Sequence, residues 1–169
     1  MSKSSILLLT LLAFIIHSLP VTGQSDSPDN KTRKAIFTVI SNSIGWAIKK
    51  DTALLFSGVV NDSSLFIYHP DSRSTIRGYG MFHDFALKNW LRPGFKALEF
   101  KIKELRLNLS LSGEVAWFSC LLDDFCELNG QRTGWENCRW TGVLEKQKGK
   151  WVIVQMHFSF PVDQNNNKM

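Results

Sequence analysis

The side chains best equipped for chemistry in this sequence are Arg139 and His157, a guanidinium and an imidazole on the last two strand-like stretches, WENCRWTGVLEK and KWVIVQMHFSF. Three roles suit such a pair. With the cation beside it, the imidazole is held neutral near pH 7 and can serve as a general acid or base. The guanidinium fork alternatively binds a carboxylate ligand. In the third reading both groups are satisfied structurally by Asn137, Ser159 and buried water.

The two stretches flank Gln147-Lys148-Gly149 and form an antiparallel hairpin. A three-residue loop ending on Gly149 suits a turn whose last residue is left-handed. Lys146 then faces Lys150, and counting outward sets Glu145 opposite Trp151, Val143 opposite Ile153, Thr141 opposite Gln155 and Arg139 opposite His157. The reverse face carries Trp140, Val154, Met156 and Phe158 and is apolar almost throughout. A sheet with two largely buried faces needs helices over one and something else, often a second subunit, over the other. The Arg139 and His157 face is assigned to a covered pocket. The Trp140 face becomes an outer surface for a homodimer. The alternation also admits the opposite assignment, with the polar face in solvent.

At 169 residues the chain is one domain's worth. Residues 1–23 have the tripartite form of a secretory signal: Lys3, the apolar run Ile6 to Ile16, then a break at Ser18-Leu19-Pro20 and small residues to Gly23. Export to a periplasmic or extracellular compartment is expected, with no membrane attachment after cleavage. Loss of Lys3 lowers the basic residues from 20 to 19 against 15 acidic ones, a formal +4. That excess is dispersed along strand edges and turns, which argues against nucleic-acid binding.

Cys120, Cys126 and Cys138 are an odd number for an oxidising compartment. A loop centred near Arg132 sets Cys126 opposite Cys138 and makes a disulfide feasible, whereas a turn at Asn129-Gly130 separates them. No CxxC or HxH spacing occurs, so no metal is expected, and no cofactor. Asn30-Lys31-Thr32, Asn61-Asp62-Ser63 and Asn108-Leu109-Ser110 match the glycosylation acceptor pattern.

Residues 24–29 read as a flexible lead-in. Asp29 or Asn30 caps a helix carrying Ile36, Phe37, Ile40, Ile44 and Ala47 at helical spacing. A short helix starts at Asp51, a short strand runs Leu65 to His69, Asp71 to Arg77 is a polar loop, and Gly78 to Trp90 is helical. From Phe95 the texture is β: Phe95 to Leu111, Glu114 to Leu128, then the hairpin, with 163–169 a disordered tail. Helices first and long antiparallel strands last imply an α+β fold, a curved sheet with helices on its concave face. Such a cone has an open end suited to a small ligand.

The run CRWTGVLEKQKGKWVIVQMHFSFP, with GEVAWFSC one strand earlier, resembles the SnoaL-like branch of the NTF2-like superfamily. Arg139-Trp140-Thr141, Gly149-Lys150-Trp151 and His157-Phe158-Ser159 carry the likeness, which spans about residues 30–162. The resemblance implies a ketosteroid isomerase-like cone with a pocket between helices and sheet, and dimerisation through the sheet's outer face. Arg139 and His157 would point into the pocket, with Trp117 and Ser119 joining them if the 129–134 loop sets that face inward, and Tyr68 as a further ligand contact or hydrogen-bond donor. Enzymes of that type use an acidic base, for which Asp123, Asp124 and Asp84 are the candidates. Each also reads as a solvated carboxylate, and Tyr68 as a core residue. The expected function is binding of a small, partly apolar and possibly anionic ligand. The alternatives are an isomerase, dehydratase or hydrolase, and a non-catalytic oligomerisation module; the fold alone does not choose among them.

Overall fold

The computed structural model describes residues 28–71 and 74–161. The expected leader at 1–23, most of the expected lead-in and the expected tail at 163–169 lie outside the described residues. Among the described residues no helix is long and apolar enough to cross a membrane.

Helix α1, Pro28–Lys49, starts one residue before the expected cap. Proline at the first helical position loses no hydrogen bond there, and Asp29 sits in the first turn, where its carboxylate pairs with Arg33 at 2.9 Å. Ile36 and Ile40 are buried one turn apart, and Trp46 extends the same stripe, whereas Phe37 faces outward. Helix α2, Thr52–Ser57, is capped by Asp51, whose carboxylate accepts from the Leu54 backbone N–H at 3.1 Å.

Strand β1, Phe66–Tyr68, is followed by the short β2, Ile76–Arg77, inside what reads from sequence as a loop. Helix α3, Gly78–Phe85, continues into a π-helical segment, Ala86–Trp90. Four long strands follow: β3 Phe95–Leu109, β4 Val115–Leu128, β5 Gln131–Gln147 and β6 Lys150–Ser159. The sheet order is β2-β1-β6-β5-β4-β3, antiparallel except where β1 runs parallel to β6. The architecture is thus the expected α+β one, with a curved, unclosed six-stranded sheet and N-terminal helices packed on its concave face.

The register of the final hairpin differs from the sequence reading. Its loop is the two residues Lys148 (φ 50°) and Gly149 (φ 80°), so Gln147 pairs with Lys150 and Lys146 with Trp151. Both positions are left-handed, as a turn matching the strand twist requires. The pairing slips again between Val143 and Leu144, where Val154 is the extra residue of a β-bulge. Trp151 and Ile153 before the bulge, and Met156 and Phe158 after it, therefore all face the core. Beyond the bulge Val143 faces Gln155, Thr141 faces His157 and Arg139 faces Ser159.

This inverts the two faces. Trp140, Met156 and Phe158, expected on an outer dimer surface, are fully or almost fully buried beneath the helices, and Trp140 stacks on Phe158 at 5.5 Å. A surface already packed against its own chain cannot hold a second copy.

Candidate functional site

Between the helices and the inner face of the sheet lies a cavity of about 380 Å³. Three tryptophans (46, 90 and 135) and four phenylalanines (82, 85, 95 and 158) line it, with Ile44, Leu55, Ile67 and Met156 among the aliphatic contacts. Its polar and thiol-bearing lining is sparse: Ser43, His69, Asp71, Ser74, Asp124, Cys126 and Thr133. A mostly apolar hollow with a few converging polar groups is the usual form of a small-molecule site.

His69 follows β1 directly and sits inside an aromatic shell. Its ring stacks on Phe158 at 5.4 Å and 4° and on Phe85 at 5.7 Å and 15°, with Trp90 and Trp135 each 6.1 Å away. Nδ1 lies 2.7 Å from the backbone carbonyl of Ser74. A carbonyl oxygen only accepts, so Nδ1 carries the hydrogen, and in the neutral ring Nε2 is the acceptor. Burial holds the imidazole pKa below its ordinary value, against a smaller opposing effect of the Ser74 bond.

Asp124 approaches from β4. The even-numbered residues Ala116, Phe118, Cys120 and Leu122 form the buried side of that strand, and Asp124 continues the series at the cavity wall. Burial alone pushes its carboxyl up to about 6. Among the described residues no donor or cation partners it. Its cross-strand neighbour is Trp135, so that indole stands between Asp124 and His69 along the wall.

The next residue has the opposite fate. Asp123 faces outward, takes the Lys103 ammonium at 2.6 Å and accepts the Asn137 backbone N–H at 2.8 Å, which hold its carboxyl below the usual range. Lys103 also donates to the Asn137 side chain at 2.6 Å. Asn137 (φ 53°) lies in a second irregularity, where three residues of β5 span two of β4 between the Leu122–Cys138 and Asp124–Trp135 pairs. That bulge lets Thr133 and Trp135 face the cavity while Cys138 and Trp140 face the core. The clip at Asp123 thereby fixes the wall on which Asp124 stands.

None of the five residues expected to contact ligand lines the cavity. Arg139, His157, Trp117, Ser119 and Tyr68 do come together, but on the outer face, and all are exposed. Ser119 pairs with Thr141, Thr141 with His157 and His157 with Tyr68, whose rings meet edge-on at 5.8 Å. For Arg139 and His157 this is the opposite face assignment that the alternation admitted, and the bulge at Val154 lets His157 face outward while Trp151 and Ile153 face the core. Asp84 is exposed as well.

The loop between β4 and β5 is the Asn129-Gly130 turn, so Cys126 pairs with Thr133 and Cys138 with Leu122. All three cysteines are free thiols. Burial pushes Cys120 up to about 12 and Cys138 up to about 11, leaving both uncharged and unreactive.

His69 escaped the sequence reading because it lies just past a three-residue strand with no motif around it. Asp124 did leave a signal, since its parity with Phe118, Cys120 and Leu122 places it on the apolar side of β4 and its neighbour Asp123 on the other.

No curated protein matches the sequence. Solved structures do match in fold. A nuclear transport factor 2-like superfamily protein from Salmonella enterica serovar Typhimurium LT2 superposes with a TM-score of 0.69 at 18% identity, covering 83% of this chain and 99% of that one. A protein from Streptomyces avermitilis named as a candidate dehydratase of the NTF2-like family gives 0.64 at 15% identity, covering 81% and 100%. An NTF2-like protein of unknown function from Pseudomonas putida KT2440 gives 0.62 at 16% identity, covering 82% and 92%. At such identities the likeness shows the fold alone. The SnoaL-like domain family matches residues 36–163, which is most of the chain, and this protein belongs to that family within the NTF2-like superfamily.

Proposed function

We propose that this protein binds a small, largely apolar molecule in the aromatic cavity, with Asp124 and His69 as its principal polar contacts. The observation that carries the reading is the pairing of an unpartnered carboxyl with an imidazole acceptor inside one hollow whose other walls are mainly rings and aliphatic chains. The anionic ligand expected from Arg139 loses its support, because that guanidinium is on the far side of the sheet. The test is titration with a neutral aromatic probe such as 2-naphthol, followed by tryptophan fluorescence. Ala97 lines the cavity, so Ala97→Phe fills the space and abolishes binding. Binding unchanged in that variant overturns the reading.

A second reading, proton transfer of the isomerase or dehydratase kind, is favoured by the same two groups. A carboxyl titrating near 6 and a neutral imidazole both exchange protons readily at physiological pH. Asp124 would take or return a proton at one end of the ligand and Nε2 of His69 at the other. In that case Asp124→Asn retains binding and loses turnover.

The leader-like sequence at 1–23 supports export. Self-association belongs to the outer face around Trp117, Leu121 and Val143, where apolar side chains line up across β4 and β5.

A further inference from the structure

Asp124 in the cavity wall bears on the charge of a ligand. The chain carries 20 lysines and arginines against 15 acidic residues, yet among the described residues lining the cavity there is no lysine or arginine, while Asp71 and Asp124 are both present. Among the described lining residues the acidic groups are Asp124 and Asp71, and Asp71 has interactions of its own. Trp46, Trp90, Trp135, Phe82, Phe85 and Phe158 are among the lining residues, and wherever such a ring turns its face to a ligand it presents the negative end of the aromatic quadrupole.

Asp124 stands in this wall without a donor or cation among the described residues. An ionised carboxylate enclosed by rings is costly unless a cation or donors meet it, and the described residues supply neither. The titratable groups facing it do not change the sign. Cys126 beside it and Cys138 on β5 are thiols that burial keeps protonated, and His69 beyond Trp135 is kept uncharged by desolvation.

Resting on the reading of this cavity as a ligand site, we propose that it selects organic cations: an amine whose ammonium meets the Asp124 carboxylate while its apolar body packs among the rings. An anion of the same shape would meet a carboxylate and ring faces of its own sign. A neutral isostere would leave the carboxylate unpaired.

Calorimetric titration at pH 7.5 with three indoles of nearly one shape tests this: tryptamine, tryptophol and indole-3-acetate. Tryptamine is expected to bind at least tenfold more tightly than tryptophol, and indole-3-acetate most weakly. In Asp124→Asn the tryptamine advantage over tryptophol collapses to within about twofold. A second readout needs only the wild-type chain. At pH 6, titrations in buffers of different ionisation enthalpy show release of a proton when tryptamine binds, because pairing ionises the carboxyl, and none with tryptophol. Tryptophol or indole-3-acetate binding as well as tryptamine overturns the charge preference and leaves the cavity a ligand site. A preference that survives Asp124→Asn, without proton release, overturns the role of Asp124. Failure of all three indoles, with 2-naphthol also failing, overturns the ligand-site reading and this inference together. Failure of the three with 2-naphthol bound overturns this inference alone.

Discussion

Nδ1 of His69 donates to the backbone carbonyl of Ser74 across 2.7 Å, and this one bond decides which imidazole nitrogen can accept. It also ties the end of β1 to the segment leading into β2. Desolvation between Phe85 and Phe158 lowers the ring's pKa, so the folded state binds fewer protons than the unfolded chain as pH falls below 6.5. The stability this group contributes is present above 6.5 and is lost on acidification. Urea unfolding between pH 5 and 7.5 should show stability rising with pH in this range from His69. In His69→Phe, which keeps the stacking slot but not the bond, that contribution disappears at a cost of about 1 kcal/mol at pH 7.5.

Asp124 works in the opposite sense. Its folded pKa of about 6 lies above the ordinary carboxyl value of 3.8, so the stability linked to it is full below 3.8 and lost as pH rises through 6. The difference corresponds to about 3 kcal/mol of penalty once the group is ionised. Asp124→Asn should therefore stabilise the protein by roughly 2–3 kcal/mol at pH 8 and by little at pH 4. Unfolding midpoints at the two pH values check it; equal effects at both would contradict the burial of this carboxyl.

Gly134 is the tightest point of the cavity wall. At φ 148° a Cβ there would come 2.2 Å from the Asp124 carbonyl oxygen and 2.7 Å from Phe125 Cα, both backbone atoms with no room to yield. Gly134→Ala should destabilise by about 2–4 kcal/mol, read as a fall in thermal midpoint.

Lys148 occupies a left-handed position (φ 50°) that lysine tolerates poorly and asparagine well. Lys148→Asn makes an Asn-Gly pair at the β5–β6 turn and should stabilise by about 0.5–1 kcal/mol. No gain would count against the two-residue turn.

The outer face offers a separate test. Arg139→Ala and His157→Ala should leave 2-naphthol affinity within about twofold, as neither residue reaches the cavity. Trp117, 46% exposed, is the largest apolar group on that face. Trp117→Glu should convert any dimer to monomer without changing the cavity, as judged by sedimentation velocity.

The α+β layout, most of the α1 stripe and the long strands were legible because period and punctuation act locally: Ile36 and Ile40 one turn apart, a short helix starting at Asp51, Asn129-Gly130 as one of the two possible turns. The site was not legible, because it depends on registers that two irregularities reset. One extra residue at Val154 and another near Asn137 leave no compositional mark, yet each reverses which side chains point inward. Counting from a three-residue loop gave Arg139 a place opposite His157; the two-residue loop and the bulge give that place to Thr141. Asp124 could be read from strand parity alone, since β4 is the one wall strand whose inward alternation runs unbroken from Ala116 to Cys126.

The π-helical segment Ala86–Trp90 holds one residue more per turn than the helix it extends, with the Leu91 N–H reaching back five positions to Ala86 at 2.9 Å. A single-codon deletion there is thus a conformational edit. Rewinding to ordinary helical pitch would rotate the downstream indole by about 100° and swing Trp90 off its partners Trp46, Phe82 and Phe85. The shape of the hollow can in this way be changed by chain length alone, through the position of Trp90.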